Sequence, residues 1–194
     1  MSIQDLLLAN VKRAITAKEQ LLSDSAQMAV FVAAVEAVIE RYRKGGRLLI
    51  AGNGGSAADS QHLAAEFVSK LARDRNPLPA EALTTDASIL TAIGNDYGFE
   101  HVFARQIYGK AKPDDVFLGI TTSGKSPNIL RAVEAAKQTG ILSVVFSGRD
   151  GGPVAELADF CIVAPGSLTS TIQEIHILLA HTLCESVEEV IFPR

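Results

Sequence analysis

His62 and Glu66 stand four residues apart in a stretch whose apolar spacing predicts a helix, so they share one helical face. An imidazole beside a carboxylate suits ligation of a divalent metal such as zinc, or general acid–base work. Asp59 lies near the same face. The pair alone is weakly specific, because His–Glu neighbours at this spacing also occur as plain surface contacts. The final helical stretch adds Gln173, His176 and His181. Gln173 and His181 are eight residues apart, a rotation of only about 80°, so they can reach one pocket from two turns. His176 is turned about 140° from His181 and reads as a satisfied core histidine.

Two polar turns offer a different chemistry. Gly52-Asn53-Gly54-Gly55-Ser56 lies between a predicted strand and a predicted helix. Glycines let backbone amides approach an anion, and a helix N-terminus adds positive potential. The turn is neither a P-loop nor a dinucleotide fingerprint. The alternative is a tight strand–helix turn with Ser56 as N-cap. Thr121-Thr122-Ser123-Gly124-Lys125-Ser126-Pro127-Asn128 repeats the arrangement after another strand, with four hydroxyls and a proline placed to open a helix. Hydroxyls and amides around a helix start suit a phosphomonoester. The alternative here is a Ser/Thr-rich cap, with Lys125 simply solvated. Gly94-Asn95-Asp96-Tyr97-Gly98 follows a short predicted helix and reads locally as a C-cap turn.

These residues need elements to hold them. Residues 1–44 predict two helices broken at Ser23-Asp24-Ser25. The second carries apolar residues almost all round, as a helix packed on several sides does. From residue 45 the pattern alternates strands and helices. Strands are predicted at 47–51, 80–84, 116–121, 141–146 and 160–163, with a long helix at 170–190 closing the chain. Apolar strands between helices predict a parallel sheet covered on both faces. The expected fold class is α/β, a flavodoxin-like three-layer αβα sandwich with a five-stranded parallel sheet plus N-terminal helices. Both polar turns then open on the carboxyl edge of that sheet, where such folds bind ligands.

The chain has 194 residues, which fits a single domain spanning 1–194. Its 47% hydrophobic content and mean hydropathy of +0.20 exclude wholesale disorder. A net charge of −4 and 6% aromatics speak against a general nucleic-acid binder. Cys161 and Cys184 read as reduced thiols, and no apolar run reaches membrane-spanning length. No nucleic-acid or membrane partner and a cytoplasmic location are expected. The apolar surplus on the N-terminal helices points to an oligomer.

Together these motifs, residues 51–59, His62, Glu66, 91–96, 122–128 and Ile172-Gln173-Glu174 with His181, resemble the phosphoheptose isomerases of the sugar-isomerase (SIS) domain superfamily. The resemblance covers nearly the whole chain. It implies an SIS fold and conversion of sedoheptulose 7-phosphate to a glycero-manno-heptose 7-phosphate, an early step toward bacterial surface heptose. By the same resemblance Glu66 and His181 match the catalytic acid–base pair. His62, Glu66, Gln173 and His181 match ligands to one zinc ion per subunit. Asn53, Gly54, Gly55, Glu66, Asn95, Asp96, Thr121, Thr122, Ser123, Ser126 and Gln173 match substrate contacts. Thr121 stands where serine is common and keeps the hydroxyl. The resemblance further implies a homotetramer with active sites at subunit interfaces. A non-enzymatic SIS branch that partners the bacterial replication initiator is the alternative. The presence of Glu66 and of the hydroxyl loop favours the enzyme.

Overall fold

The computed structural model describes residues 1–193. Two helices come first, α1 (Ile3–Ser23) and α2 (Ser25–Arg43). Ser2 and Asp5 form a capping box at the start of α1. The Asp24 carboxylate accepts from the Gln27 amide at 3.0 Å and opens α2, so the break falls where expected. The alternating part follows as β1 (Leu48–Gly52), α3 (Gly55–Val68), β2 (Ala80–Ala82), α4 (Ala87–Tyr97) and α5 (Ala104–Lys110). It continues with β3 (Val116–Ile120), α6 (Pro127–Thr139), β4 (Leu142–Gly148), α7 (Val154–Leu157), β5 (Phe160–Ala164) and α8 (Thr169–Ile191).

All neighbouring strands are parallel, in the order β2-β1-β3-β4-β5. Side chains alternate across the sheet. Leu48, Ile50, Leu118, Ile120 and Phe146 join one core with α2, α3 and α8. Leu49, Ala51, Phe117 and Val145 join the other with α5, α6 and Val154 of α7. This is the three-layer sandwich expected from the sequence. β1 and β3 lie side by side, with Gly52 paired to Ile120 at their carboxyl ends. One connection leaves toward β2 and the other toward β4, so the strand order reverses between them. That crevice is where an open α/β sheet binds its ligands.

Two local features differ from the expectation. The loop foreseen at 94–98 is mostly helix, because α4 continues to Tyr97 and only Gly98, at φ 93°, ends it. One interior glycine costs about 1 kcal/mol, too little to stop a helix whose Leu90 and Ile93 pack on the core. The second difference concerns the apolar surplus. α2 turns Phe31, Val35, Val38, Ile39 and Tyr42 into this chain's own core. The uncovered residues are mainly on α1, where Ile3 is 90% and Leu7 61% exposed, with Val11 and Ile15 also exposed. Met28 and Val32 of α2 join them. Among the described residues no single helix is long and apolar enough to cross a membrane; α1 and α2 reach that length only jointly and bend by 78° at their junction.

Candidate active site

The β1–β3 crevice holds a cavity of about 300 Å³. Asn53, Gly54, Gly55 and Ser56 line it from the first turn, and Thr121, Thr122 and Ser126 from the second. Thr169 and Gln173 complete it from α8. Three helices therefore start at this cavity: α3 at Gly55, α6 at Pro127 and α8 at Thr169. Each start carries amides without intrahelical partners and the positive end of a helix dipole. Their convergence suits an anion, although neither lysine nor arginine lines the cavity.

Local sequence explains the shape. Gly54 sits at φ 58°, ψ −120°, a conformation that favours glycine, and it is the residue that opens α3. Ser56 is therefore inside the helix, not its cap. A Cβ on Gly55 would lie 2.4 Å from Nε2 of Gln173, so only glycine lets that amide reach the turn. Pro127 starts α6 as expected, and Ser126 precedes it. The Ser126 hydroxyl makes no capping bond. It lies 3.2 Å from the Thr121 hydroxyl, on the cavity wall. Asn53 and Asn128 exchange two side-chain hydrogen bonds, 2.9 and 2.8 Å, and hold the two turns together.

Some expected residues lie elsewhere. The Ser123 hydroxyl accepts from the Lys125 amide at 3.3 Å and does not line the cavity. Lys125 faces solvent, 3.9 Å from Asp150. Asn95 and Asp96 sit on the exposed end of α4, where the Asn95 amide donates to Asp96 at 2.7 Å. Neither lines the cavity. Thr169 is a lining residue that the sequence reading missed. The polar run Ser167-Leu168-Thr169-Ser170-Thr171 before the last helix was the available signal.

The second group lies farther along the same helices. Nε2 of His62 is 3.0 Å from Oε1 of Glu66. The His62 and His181 rings meet edge to face, 5.1 Å between centroids. One donor atom from each of His62, Glu66 and His181 lies within 4.8 Å of the others. Nε2 of His181 is buried and has no hydrogen-bond partner. Two imidazoles and a carboxylate at this spacing, with one nitrogen left unsatisfied, fit a divalent metal ion. Asp59 on α3 has a buried carboxylate oxygen without a partner. Burial raises its pKa, against the pull of His62. His176 is a core residue, as expected, but only half satisfied: its Nε2–H donates to the Ser147 carbonyl at 2.7 Å, while its buried Nδ1 has no hydrogen-bond partner. Burial lowers its pKa to about 4.

An SIS domain family model matches residues 13–148. The chain therefore belongs to the SIS domain family, as its switch-point cavity and parallel sheet suggest. Its relatives place it more narrowly. The phosphoheptose isomerase of Aneurinibacillus thermoaerophilus is 47% identical over 190 residues, covering 98% of this chain and 96% of that protein. Phosphoheptose isomerase 2 of Campylobacter jejuni is 51% identical over 180 residues, covering 93% and 90%. The solved phosphoheptose isomerase of Neisseria gonorrhoeae superposes with a TM-score of 0.90 at 40% identity, covering 97% of this chain and all of that one. The chain is a member of the phosphoheptose isomerase family.

Proposed function

We propose that this chain converts D-sedoheptulose 7-phosphate to D-glycero-D-manno-heptose 7-phosphate, in bacterial heptose synthesis. One observation carries the reading: an anion cavity and an imidazole–carboxylate group occupy the same α3–α8 seam. His62 is seven residues beyond Gly55, about 10 Å along the helix axis. His181 is eight beyond Gln173, about 12 Å. A heptose 7-phosphate has eight bonds from phosphorus to C1. Extended at about 1.2 Å per bond, it spans about 10 Å. With its phosphate at the three helix starts, its carbonyl end lies at the level of His62 and His181, with Glu66 one turn farther on and its carboxylate 3.0 Å from His62.

The roles follow from that alignment. The amides of Gly54 and Gly55 and the hydroxyls of Thr121, Thr122 and Ser126 receive the phosphate, and Ser123, outside the cavity, shapes the turn that carries them. Asn53 and Gln173 contact the sugar. Glu66 removes a proton from C1 of the ketose, giving an ene-diol, and returns it to C2. His181 moves a proton from the C1 oxygen to the C2 oxygen, so the carbonyl migrates. His62, Glu66 and His181 would hold one zinc ion per subunit, with Gln173 as fourth donor once its side chain turns from Gly55 toward them; bound there, the ion would polarise the carbonyl and orient the sugar oxygens.

Two further expectations belong to this reading. The exposed apolar stripe of α1 supports a homotetramer in which these helices pack between subunits. Asn95 and Asp96, outside this chain's own cavity, fit a site completed across such an interface. A monomeric mass at micromolar concentration would contradict the assembly. The expected location is the cytoplasm. The decisive assay incubates the protein with sedoheptulose 7-phosphate and follows aldose formation. Turnover is expected; binding of the phosphosugar without turnover would favour a non-enzymatic binding role instead.

A further inference from the structure

Arg75 and Glu188 form a buried ion pair at 2.8 Å, their side chains 3% and 1% exposed. Neither belongs to the cavity or to the imidazole–carboxylate group. What singles the pair out is where the remaining guanidinium donors go. Nη2 of Arg75 donates to the backbone carbonyl of Glu66 at 2.9 Å. Nη1 donates to the carbonyl of Phe67 at 2.6 Å and more distantly to those of Asn76 and Ser69. α3 ends at Val68, so the carbonyls of Glu66 and Phe67 lack intrahelical partners. An arginine from the following loop supplies them and places its charge at the negative end of the helix.

The other half of the pair fixes this cap to α8. Oε1 of Glu188 accepts from Nε of Arg75 at 2.9 Å and from the Leu71 amide at 3.2 Å. Glu188 is seven residues after His181, two turns on along the same face of α8. One guanidinium therefore joins the residue bearing the Glu66 carboxylate to the helix bearing His181. Both contacts are directional, because a guanidinium presents its donors in a rigid plane.

We propose that Arg75 is a positioning residue for the isomerase centre: by holding the backbone of Glu66 against α8, it sets the Glu66 carboxylate relative to His62 and His181. This inference rests on the functional reading above. Loss of the pair leaves the phosphate cavity, at the opposite ends of α3 and α8, unaltered. It loosens the three-residue group.

The test replaces the pair by apolar residues of similar size, Arg75→Met with Glu188→Leu, which leaves no unpaired charge in the core. Four quantities are measured on the full chain: melting temperature, affinity for inorganic phosphate, affinity for zinc ions in competition with a chromophoric chelator, and kcat with KM for sedoheptulose 7-phosphate. The melting temperature falls by several degrees, because the Glu66 carbonyl and the Leu71 amide lose their side-chain partners, while the chain stays folded and phosphate affinity changes less than about twofold. Zinc affinity and kcat each fall about tenfold or more, the usual effect of removing a partner that orients a site. A folded double variant with wild-type zinc affinity and kcat would overturn the proposal. So would a loss of phosphate affinity in parallel with zinc affinity and kcat, which marks general loosening. If the double variant does not fold, Arg75→Lys carries the same measurements, because it keeps a charge opposite Glu188 and loses the fork. Absence of turnover by the wild type would fail the functional reading alone; zinc and phosphate affinities would still decide the positioning role.

Discussion

Asn53 and Asn128, 75 residues apart, donate to each other through their side-chain amides at 2.9 and 2.8 Å. One follows β1 and the other opens α6, so this reciprocal pair closes the switch point of the sheet from above. Asn128 is 2% exposed. Asn128→Ala strips Asn53 of both partners. Stability falls by about 0.5–1.5 kcal/mol, the net worth of such a hydrogen bond, because the half-buried Asn53 left behind can turn to solvent. KM for the phosphosugar rises more than kcat falls, because the pair shapes the anion cavity and not the proton-transfer group. Urea melts and steady-state kinetics check both.

Gly55 and Gln173 give a second prediction. A methyl group on Gly55 meets Nε2 of Gln173 at 2.4 Å, but this is the far end of a flexible side chain. Gly55→Ala therefore folds, and the Gln173 amide moves out of place. Substrate affinity drops about tenfold, as expected when a positioned polar contact is lost from a site. The melting temperature changes by only a few degrees. A folded variant with unaltered kinetics would remove Gln173 from the substrate contacts.

Several of these relationships were legible in the sequence, for reasons particular residues make clear. The β1 and β3 turns announce themselves through strand-flanking glycines and hydroxyls, and the helical spacing of His62 and Glu66 survives intact in α3. Local rules suffice there. The seam between α3 and α8 is not local. That Gln173 faces Gly55, and that Thr169 brings a third helix start to the cavity, depends on how α8 docks across the sheet. Arg75 and Glu188 read in sequence as two charges 113 residues apart, with no periodicity to link them. Gly94 shows the reverse error: a local breaker signal was overridden by Leu90 and Ile93 packing on the core. The apolar surplus was visible in composition, but its place on α1 required knowing that α2 spends its apolar residues inside the chain.

His176 makes stability depend on pH. In the folded chain burial keeps the imidazole neutral until about pH 4, whereas an unfolded histidine protonates near 6.5. Between these values the unfolded chain binds more protons, so stability falls as pH drops through 6.5 toward 4. The loss amounts to roughly 2–3 kcal/mol by pH 4.5. His176→Asn starts less stable at pH 7 but loses correspondingly less on acidification. Urea midpoints at pH 7 and pH 4.5 for both proteins measure the difference.

The buried Nε2 of His181, unpartnered beside His62 and Glu66, predicts metal content. Protein purified without an affinity tag carries about one zinc per chain and loses activity to a chelator, with recovery on adding zinc back. His62→Ala lowers the zinc content while phosphate affinity stays within about twofold of wild type, since His62 lies about 10 Å from the anion cavity. Substoichiometric zinc with chelator-resistant turnover would remove the metal from the account.

The central claim is that Glu66 carries a proton between carbons while the helix starts hold the phosphate. Glu66→Gln tests it most directly, because the amide nearly matches the carboxylate in shape and cannot act as the base. The measurement is kcat on sedoheptulose 7-phosphate beside the binding constant for the same sugar. A fall in kcat of about 10²–10⁴, with binding changed much less, is the expected result. Turnover near the wild-type rate would contradict the account.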